Sequence, residues 1–249
     1  MVELAAGTIV DDRYEIRRSI GEGGMGSVYC AVEIELAREV AIKILHQGLL
    51  ADTEQRVRFE REGKILASLS HPSILTFFRF GVWQNVHPYI VMEYLQGKSL
   101  REELDQKGKL KPERCVYLAH QISDALQAAH NLGIVHRDLK PSNIVLQETP
   151  EGGNVKILDF GLARILTGDG ANQRLTQTGM LVGSVYYMSP EQCLGKPVDH
   201  RSDIYSLGCV LYEAAAGIPP LSADNPIGLL HKHANELPCS LSSVLQPCV

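Results

Sequence analysis

The sequence predicts an α+β fold with two lobes, a small antiparallel β-sheet lobe with one helix followed by a mostly helical large lobe. Short alternating or β-branched segments dominate the first part of the chain, and longer segments with helical periodicity dominate the rest. The change falls near Glu93 to Gly97, where Gly97-Lys98-Ser99 interrupts the pattern. We therefore place the small lobe at residues 1–95 and the large lobe at 96–249.

A glycine cluster, Gly21-Glu22-Gly23-Gly24-Met25-Gly26, lies between two predicted strands, Tyr14 to Ile20 and Val28 to Ile34. A Walker A loop would need a lysine where Ser27 stands, and a dinucleotide-binding loop would have to open a helix where the sequence predicts a strand. Two interpretations remain open: a glycine hairpin whose backbone lies close over phosphates, or a plain flexible β-turn.

The next predicted strand and helix each contain one charged residue among apolar neighbours. Alternation in the strand Glu39 to Leu45 turns Lys43 inward, although a lysine that keeps its amine in water is the usual alternative. From Thr53 to Leu69 the periodicity is helical, and Glu62 shares a stripe with apolar residues at spacings of three, four and seven, namely Ile65, Leu66 and Leu69. Because an acid on an apolar helix face requires a cation, we expect Glu62 to pair with Lys43.

The remaining elements follow from periodicity and from start and stop signals. We predict strands at 74–80 and 87–94, a helix from Pro112 to about Gly133, a helix over 204–216 buried on every side and capped by Ser202 or Asp203, and a short helix over 229–234. The last dozen residues have the pattern of a loop. Residues 162–188 show no periodicity, and a loop of that length in a compact domain is usually functional or mobile.

The stretch from Ile134 to Gly161 contains the polar and charged residues that best fit a catalytic site. Asp138 and Asp159 each lie next to apolar residues, with Lys140 and Asn143 between them. Acids at the ends of apolar strands are costly without a partner. A metal-bound polyphosphate would supply one, because Mg²⁺ takes a few protein oxygens and leaves its other positions to phosphate and water.

Composition limits the class of protein and of partner. The chain is 45% hydrophobic and 21% charged with a formal net charge of -5, so neither nucleic acid nor an anionic membrane is the expected partner. The six cysteines include no CxxC pair, which favours free thiols in a reducing compartment over a zinc site or disulfides. No secretory signal or membrane-spanning segment is visible, and a cytoplasmic location is expected.

Taken together, these segments resemble the eukaryotic-type protein kinase family, and most closely its bacterial Ser/Thr branch. The matching motifs occur in the family's order over residues 14 to about 220: Gly21-x-Gly23-x-x-Gly26-x-Val28, Val40-Ala-Ile-Lys43, Glu62, His136-Arg-Asp-Leu-Lys-Pro-Ser-Asn143, Asp159-Phe-Gly161, Ser189-Pro-Glu191 and Asp203-x-x-x-Leu-Gly208. The resemblance implies a bilobal protein-kinase-like fold and a Ser/Thr protein kinase that uses ATP and Mg²⁺, or Mn²⁺ in place of Mg²⁺.

The resemblance also assigns roles. Lys43, held by Glu62, would contact the α- and β-phosphates. Asn143 and Asp159 would hold Mg²⁺, and Asp138 would take the proton of the substrate hydroxyl. Lys140 would contact the γ-phosphate and is typical of Ser/Thr specificity, while His136 would be structural. The residues that would bind the nucleotide are Ile20, Gly21, Glu22, Gly23, Gly24, Met25, Gly26, Val28, Ala41, Lys43, Met92, Glu93 and Leu95.

Regulation and partners are implied in the same way. Arg137 precedes the catalytic aspartate, a feature of kinases switched on by phosphorylation of the activation loop. The hypothesis is that a phosphate on Thr176 or Thr178 pairs with Arg137 and Arg164, whereas the alternative is that these threonines are solvated loop residues. Protein substrates with Ser or Thr, and a homodimer formed through the small lobe, are the partners that the resemblance implies.

The resemblance stops before the family's last helices. In the family an arginine from that region pairs with the glutamate at position 191, and no arginine follows Arg201 in this chain, so we expect a truncated large lobe in which Glu191 lacks its usual partner. The alternative function is a truncated, catalytically weak module that binds nucleotide or a protein partner. A metal hydrolase would leave Lys43, Glu62 and the glycine hairpin unexplained, and an interaction domain would not need paired acids at strand ends.

Overall fold

The computed structural model describes residues 3–23, 26–46, 53–147, 153–160 and 184–245. Within these ranges the chain forms two compact units. The first contains the residues up to His71 together with Leu75–Gln96, and the second contains Pro72–Ile74 and the described residues from Gly97 onward. Each unit has its own β-sheet.

The first unit contains a six-stranded antiparallel sheet in the order β1-β2-β3-β4-β6-β5. Its strands are β1 (Ile9–Val10), β2 (Tyr14–Gly23), β3 (Gly26–Glu33), β4 (Arg38–Leu45), β5 (Phe77–Trp83) and β6 (His87–Glu93). Alternating apolar residues of β2, β3, β4 and β6 form one buried cluster that includes Ile16, Tyr29, Ile42 and Val91. The strands predicted at 74–80 and 87–94 are therefore present with shifted ends.

Strands β2 and β3 form a hairpin at the glycine cluster, which agrees with both interpretations of the sequence. The β2–β3 ladder continues to the pair Gly23 and Gly26, while Gly24 and Met25 lie outside the described residues. Gly26 has φ +152°, and a Cβ there would lie 1.9 Å from the Ile44 carbonyl oxygen of β4. Glycine is required at this position because the two backbones approach so closely.

Helix α1 (Thr53–Ser68) packs its inner face on β5. Phe59 and Leu66 are buried, and the ring of Phe59 meets that of Phe80 edge to face at 5.5 Å. Ile65, which the sequence analysis placed on the same stripe, is 46% exposed. The assignment of Ile65 is wrong because the buried face centres on residues 59, 63 and 66, which leaves position 65 on its solvent edge.

The second unit has a small antiparallel sheet in the order β7-β8-β9 and several helices. Its elements are β7 (Lys98–Ser99), α2 (Leu100–Lys107), α3 (Pro112–Asn131), a 3₁₀ turn (Pro141–Asn143), β8 (Ile144–Gln147), β9 (Asn154–Ile157), a second 3₁₀ turn (Val185–Tyr187), α4 (Pro190–Cys193), α5 (His200–Ala216), α6 (Pro226–Asn235) and α7 (Leu241–Leu245). The predicted apolar face of α3 is buried, from Leu118 to Ala129. Helix α7 corrects the expectation of a C-terminal loop.

Helix α5 differs from the sequence prediction at its start and in its burial. Its N-cap is Asp199, whose carboxylate accepts the Arg201 N–H at 2.9 Å, so neither Ser202 nor Asp203 is the cap. Ile204 is 58% exposed, so the helix is not buried on every side among the described residues. It ends at Gly217, which has a left-handed φ of 80°.

None of the helices in the described ranges is both long enough and apolar enough to cross a membrane.

Helix α6 carries a buried histidine, His233, that gives a test of the fold by pH. The side chain is 2% exposed, and its Nδ1 lies 2.8 Å from the Tyr205 hydroxyl of α5. Burial lowers the pKa of His233 from its usual 6.5, because the charged imidazolium is poorly solvated there. The unfolded chain therefore binds this proton near pH 6.5 while the folded chain does not, so this contribution to stability is complete above pH 6.5 and is lost as the pH falls below it.

We expect His233→Asn, which keeps an acceptor near the Nδ1 position, to flatten the loss of stability between pH 7.5 and 5.5. The limit for one proton is about 1.4 kcal/mol per pH unit. Urea unfolding at both pH values measures the difference. His231→Asn, on the exposed side of the same helix, is the matched control and should keep the wild-type slope. A difference between wild type and His233→Asn that stays constant with pH would contradict the prediction.

Candidate active site

The loop between α3 and β8 positions the first acid, Asp138. Lys140 Nζ lies 2.7 Å from Asp138 Oδ2, and Asn143 Nδ2 donates to the Asp138 carbonyl at 2.8 Å and more weakly to Oδ2 at 3.3 Å. Lys140 also donates to Ser184 Oγ at 2.7 Å. Both donors contact Oδ2, and no described residue occupies Oδ1, which can therefore accept a hydrogen bond from a hydroxyl as a general base must.

A buried carboxylate, that of Asp203 of α5, binds the backbone of this loop and is 0% exposed. Its Oδ2 accepts the N–H of His136 at 2.8 Å, and its Oδ1 accepts the N–H of Arg137 at 2.9 Å. His130 Nε2 of α3 lies 2.7 Å from Oδ2 and must carry the proton in this contact, because an ionised carboxylate only accepts. Three donors thus satisfy an anion that would otherwise be costly to bury.

His136 is structural in this arrangement. Its Nε2 lies 2.8 Å from the Leu158 carbonyl, which can only accept, and its Nδ1 accepts the N–H of Asp138 at 3.2 Å. These two contacts fix the tautomer that carries hydrogen on Nε2 and occupy both ring nitrogens. The ring meets that of Phe160 edge to face at 4.7 Å.

Arg137 has a left-handed backbone, with φ 68°, that is unusual for a residue with a side chain. Its N–H is held by Asp203, and its carbonyl accepts from Gln192 Nε2 of α4 at 2.7 Å. Such strain persists only where the surroundings over-determine it, and it is concentrated at functional sites. Gln192 was missed by the sequence analysis, although its capping box with Ser189 could have indicated an ordered helix start there.

The second acid, Asp159, follows β9 and also has a left-handed backbone, with φ 56°. The preceding residue, Leu158, donates its N–H to the Asn143 carbonyl at 2.8 Å, which ties the chain beside Asp159 to the loop of Asp138. Phe160 is completely buried on the other side. The second unit therefore brings together Asp138, Lys140, Asn143 and Asp159, as the sequence predicts.

Asn143 and Asp159 carry the oxygen donors that a magnesium site uses. The side-chain nitrogen of Asn143 donates to the Asp138 carbonyl. The side-chain oxygen therefore points away from that carbonyl and can serve as a metal ligand. No group of three or more His, Cys, Asp or Glu residues suited to a metal occurs in the described part of the chain. Two protein oxygens, with phosphate and water as the other ligands, match the preference of Mg²⁺.

The first unit carries the other predicted residues. Lys43 of β4 is 9% exposed, as the alternation predicts, while Glu62 of α1 is half-buried. The pairing of Lys43 with Glu62 stays a prediction. The remaining described residues of the predicted nucleotide set lie on β2, β3, β4 and β6 and just after β6: Ile20, Gly21, Glu22, Gly23, Gly26, Val28, Ala41, Met92, Glu93 and Leu95.

Three of the predicted regulatory residues, Arg164, Thr176 and Thr178, lie outside the described residues. Glu191, which was expected to lack its usual arginine, instead accepts a hydrogen bond from the Ser202 hydroxyl of α5. Burial alone would raise the pKa of Glu191, but the hydrogen bonds from Ser202, from the backbone and from Ser189 outweigh it and lower the pKa. The carboxylate is therefore satisfied without an arginine.

Comparison with known proteins places these residues in a family context. The model described as "Protein kinase domain" matches residues 14–244. A probable serine/threonine-protein kinase of Corynebacterium efficiens is 42% identical over 233 residues, covering 92% of this chain and 34% of the relative. The serine/threonine-protein kinase PknB of Mycobacterium tuberculosis is 40% identical over 232 residues, covering 92% of this chain and 36% of the relative.

The chain thus spans about a third of the length of these curated relatives. Among solved structures, the kinase domain of Mycobacterium tuberculosis PknI superposes with a TM-score of 0.73 at 27% identity, covering 98% of this chain and 85% of that one. The α+β architecture agrees with this solved structure.

We expect Asp203→Asn to weaken the hydrogen bonds that hold the backbone just before Asp138. An asparagine amide would present a donor to one of the three donors that now bind the carboxylate, at a cost of about 2–4 kcal/mol in the free energy of unfolding. Hydrogen exchange should show faster exchange of the His136 and Arg137 amides.

Asp199→Asn is the matched control, because Asp199 is the exposed cap of the same helix and asparagine caps equally well. Unchanged protection of both amides in Asp203→Asn would contradict the role that we assign to this carboxylate.

Proposed function

The chain belongs to the protein kinase domain family, and we propose that it transfers the γ-phosphoryl group of ATP to serine and threonine hydroxyls of proteins. The observation that carries the proposal is the geometry of Asp138, whose Oδ2 is held by Lys140 and Asn143 while Oδ1 is left to accept the hydroxyl proton. The names of the relatives support Ser/Thr specificity, and so does Lys140.

In this proposal Asp138 orients the acceptor hydroxyl and takes its proton, while the hydroxyl oxygen bonds to the γ-phosphorus and the bond from that phosphorus to the bridging oxygen breaks, which releases ADP. Lys140, already fixed between Asp138 and Ser184, places a positive charge beside the group in transfer. Asn143 and Asp159 would hold Mg²⁺ or Mn²⁺ through their side-chain oxygens. ATP would supply the phosphoryl group, and the metal would neutralise its charge.

The first unit supplies the nucleotide contacts in this proposal. Lys43, a buried cation on β4, contacts the α- and β-phosphates, and Glu62 pairs with it in the active state. The hairpin that contains Gly21, Gly23 and Gly26 covers the phosphates through its backbone, and the proposal also assigns Gly24 and Met25, which lie outside the described residues, to nucleotide binding. The backbone of Met92, Glu93 and Leu95 binds adenine. Strands β4 and β6 pair Ala41 with Met92, which supports placing both at the adenine.

The partners and the location are proposals that rest on the family. Protein substrates follow from the reaction, and we propose a cytoplasmic protein that does not act on nucleic acid. We also propose a homodimer through the first unit, supported by exposed apolar side chains there, Ile9, Ile34, Leu36 and Val86. The molecular mass in solution decides between monomer and dimer.

Transfer of labelled phosphate from ATP to generic acceptor proteins, one acidic and one basic, tests the function. Lys43→Met and Asp138→Asn should each lower the rate by at least about a hundredfold, because each removes a charge that acts in the transition state. Lys64→Met, an exposed lysine on α1, is the matched control and should retain full activity.

Transfer that survives in both Lys43→Met and Asp138→Asn would reject the assignment of the site. If wild type transfers no phosphate while Mg·ATP raises its melting temperature, the chain is the weak, nucleotide-binding module instead.

Regulation by phosphorylation of Thr176 or Thr178 is a further part of the proposal. Arg137 would bind the phosphate, together with Arg164, through charge-assisted hydrogen bonds. Two backbone hydrogen bonds of Arg137, one from its N–H to Asp203 and one to its carbonyl from Gln192, support this role. They fix the position of the Arg137 backbone, from which the side chain extends.

Phosphopeptide mapping of active protein should find phosphate on one of the two threonines, and the Thr176→Ala, Thr178→Ala double variant should lose most of the activity. An unmodified loop in fully active protein would contradict this regulation.

A further inference from the structure

A cavity of about 340 Å³ opens beside the residues that hold Asp138. Lys140 and Ser184, which bond to each other, form part of its wall. The rest of the wall is made by one further cation, a second hydroxyl, a proline and two aromatic rings: Arg101, Ser142, Pro141, Tyr186 and Tyr187. The described residues of the wall include two basic side chains and no carboxylate.

Arg101 is fixed in the wall by elements of the second unit. Helix α2, which carries Arg101 in its first turn, begins with a capping box formed by Ser99 and Glu102. Arg101 Nη1 donates to Glu213 Oε1 of α5 at 2.7 Å. Its Nε and Nη2 both lie 2.9 Å from Asp105 Oδ1, one turn further along α2.

Glu213 cannot itself receive a basic group from the cavity. Its side chain is 7% exposed, and while Arg101 occupies Oε1, the Tyr187 hydroxyl donates to Oε2 at 2.5 Å. Burial and the neighbouring Glu213 raise the pKa of Tyr187, so its hydroxyl keeps its hydrogen and remains a donor. Both oxygens are therefore in use behind the cavity wall.

Arg101 keeps the capacity to bind a second anion. Its side chain is 37% exposed, and its contacts use three of the five N–H donors of a guanidinium, which leaves one on each terminal nitrogen. Asp105 is 63% exposed, and an exposed ion pair of this kind contributes little, on the order of 0–1 kcal/mol. A carboxylate from another chain can thus join or replace Asp105 without disturbing Glu213.

We propose that this cavity binds an acidic side chain of the acceptor segment, and that Arg101 is the residue that selects it. The inference rests on the proposed function, since it places the acidic residue a few positions from the hydroxyl that Asp138 receives. A lysine or arginine at the same position would be repelled by Arg101 and Lys140, and the exposed carboxylate that contacts Arg101, that of Asp105, is already paired with it.

Peptides that differ at one position test this selection. Each carries one threonine and has Glu, Gln or Lys at a single site, scanned over three positions on either side of the threonine. Fluorescence anisotropy measures peptide binding, and labelled ATP measures transfer. At one scanned position we expect the Glu peptide to exceed the Gln peptide by about fivefold to tenfold in both readouts, with the Lys peptide weakest.

Two variants connect the preference to Arg101. Arg101→Gln combined with Glu213→Gln removes both partners of the buried pair, which avoids leaving an unpaired buried charge, and should bring the Glu-to-Gln ratio close to one. Asp105→Asn removes only the exposed competitor and should raise the ratio. Asp105→Asn leaves the buried contacts of Arg101 intact, so it tests the role of Arg101 even if the double variant folds poorly.

The outcomes separate this inference from the proposed function. Transfer without a Glu preference at any position, or a preference that survives in the double variant, overturns the role of Arg101 and leaves the kinase activity standing. Binding that prefers Glu and depends on Arg101 but occurs without transfer supports the cavity and rejects the activity. Absence of both peptide binding and transfer rejects both.

Discussion

The arrangement of the second unit depends on how the carboxylate of Asp203 is satisfied. An ionised acid with no exposure to solvent is stable only if its oxygens are filled with hydrogen bonds, and here the donors are two consecutive backbone amides and His130. Because those amides belong to His136 and Arg137, the acid fixes the backbone just before Asp138. The left-handed conformation of Arg137, which would otherwise relax, is maintained by this contact and by Gln192 on the carbonyl side.

The position of the base follows from this constraint. With the backbone at residues 136 and 137 fixed, only the side chain of Asp138 has to be oriented, and two donors suffice for it, Lys140 and Asn143. His136 contributes by filling both of its ring nitrogens with contacts inside the loop. The unit therefore holds its reactive carboxylate through backbone contacts that a change of surface residues does not disturb, which is the kind of preorganisation that catalysis by positioned charges requires.

Local signals in the sequence predicted much of this, and the rest depends on contacts between distant segments. Alternation was enough to turn Lys43 inward, and periodicity was enough to find α3, because both patterns report on neighbours within one element. The motif that contains Asp203 was visible, yet its side chain was taken for a helix cap, because contacts to residues 136 and 137 leave no trace in local spacing. The contacts of Gln192 with Arg137 and of Ser202 with Glu191 could not be predicted for the same reason. Ile65 was assigned wrongly to the buried face because it lies at the edge of that face, where periodicity does not separate buried from exposed positions.

Helix α5 also connects the base to the proposed acceptor subsite. Asp203 and Glu213 lie ten residues apart on it, or about 15 Å along the axis. The first acid holds the loop of Asp138, and the second holds Arg101 in the cavity wall, so one rigid helix fixes the distance between the hydroxyl to be activated and the side chain to be recognised. Both acids are satisfied by hydrogen bonds rather than by apolar packing, which adds little net stability but admits few alternative arrangements. The spacing between chemistry and recognition is thus set by the geometry of a single helix, and it cannot drift unless two buried anions lose their partners.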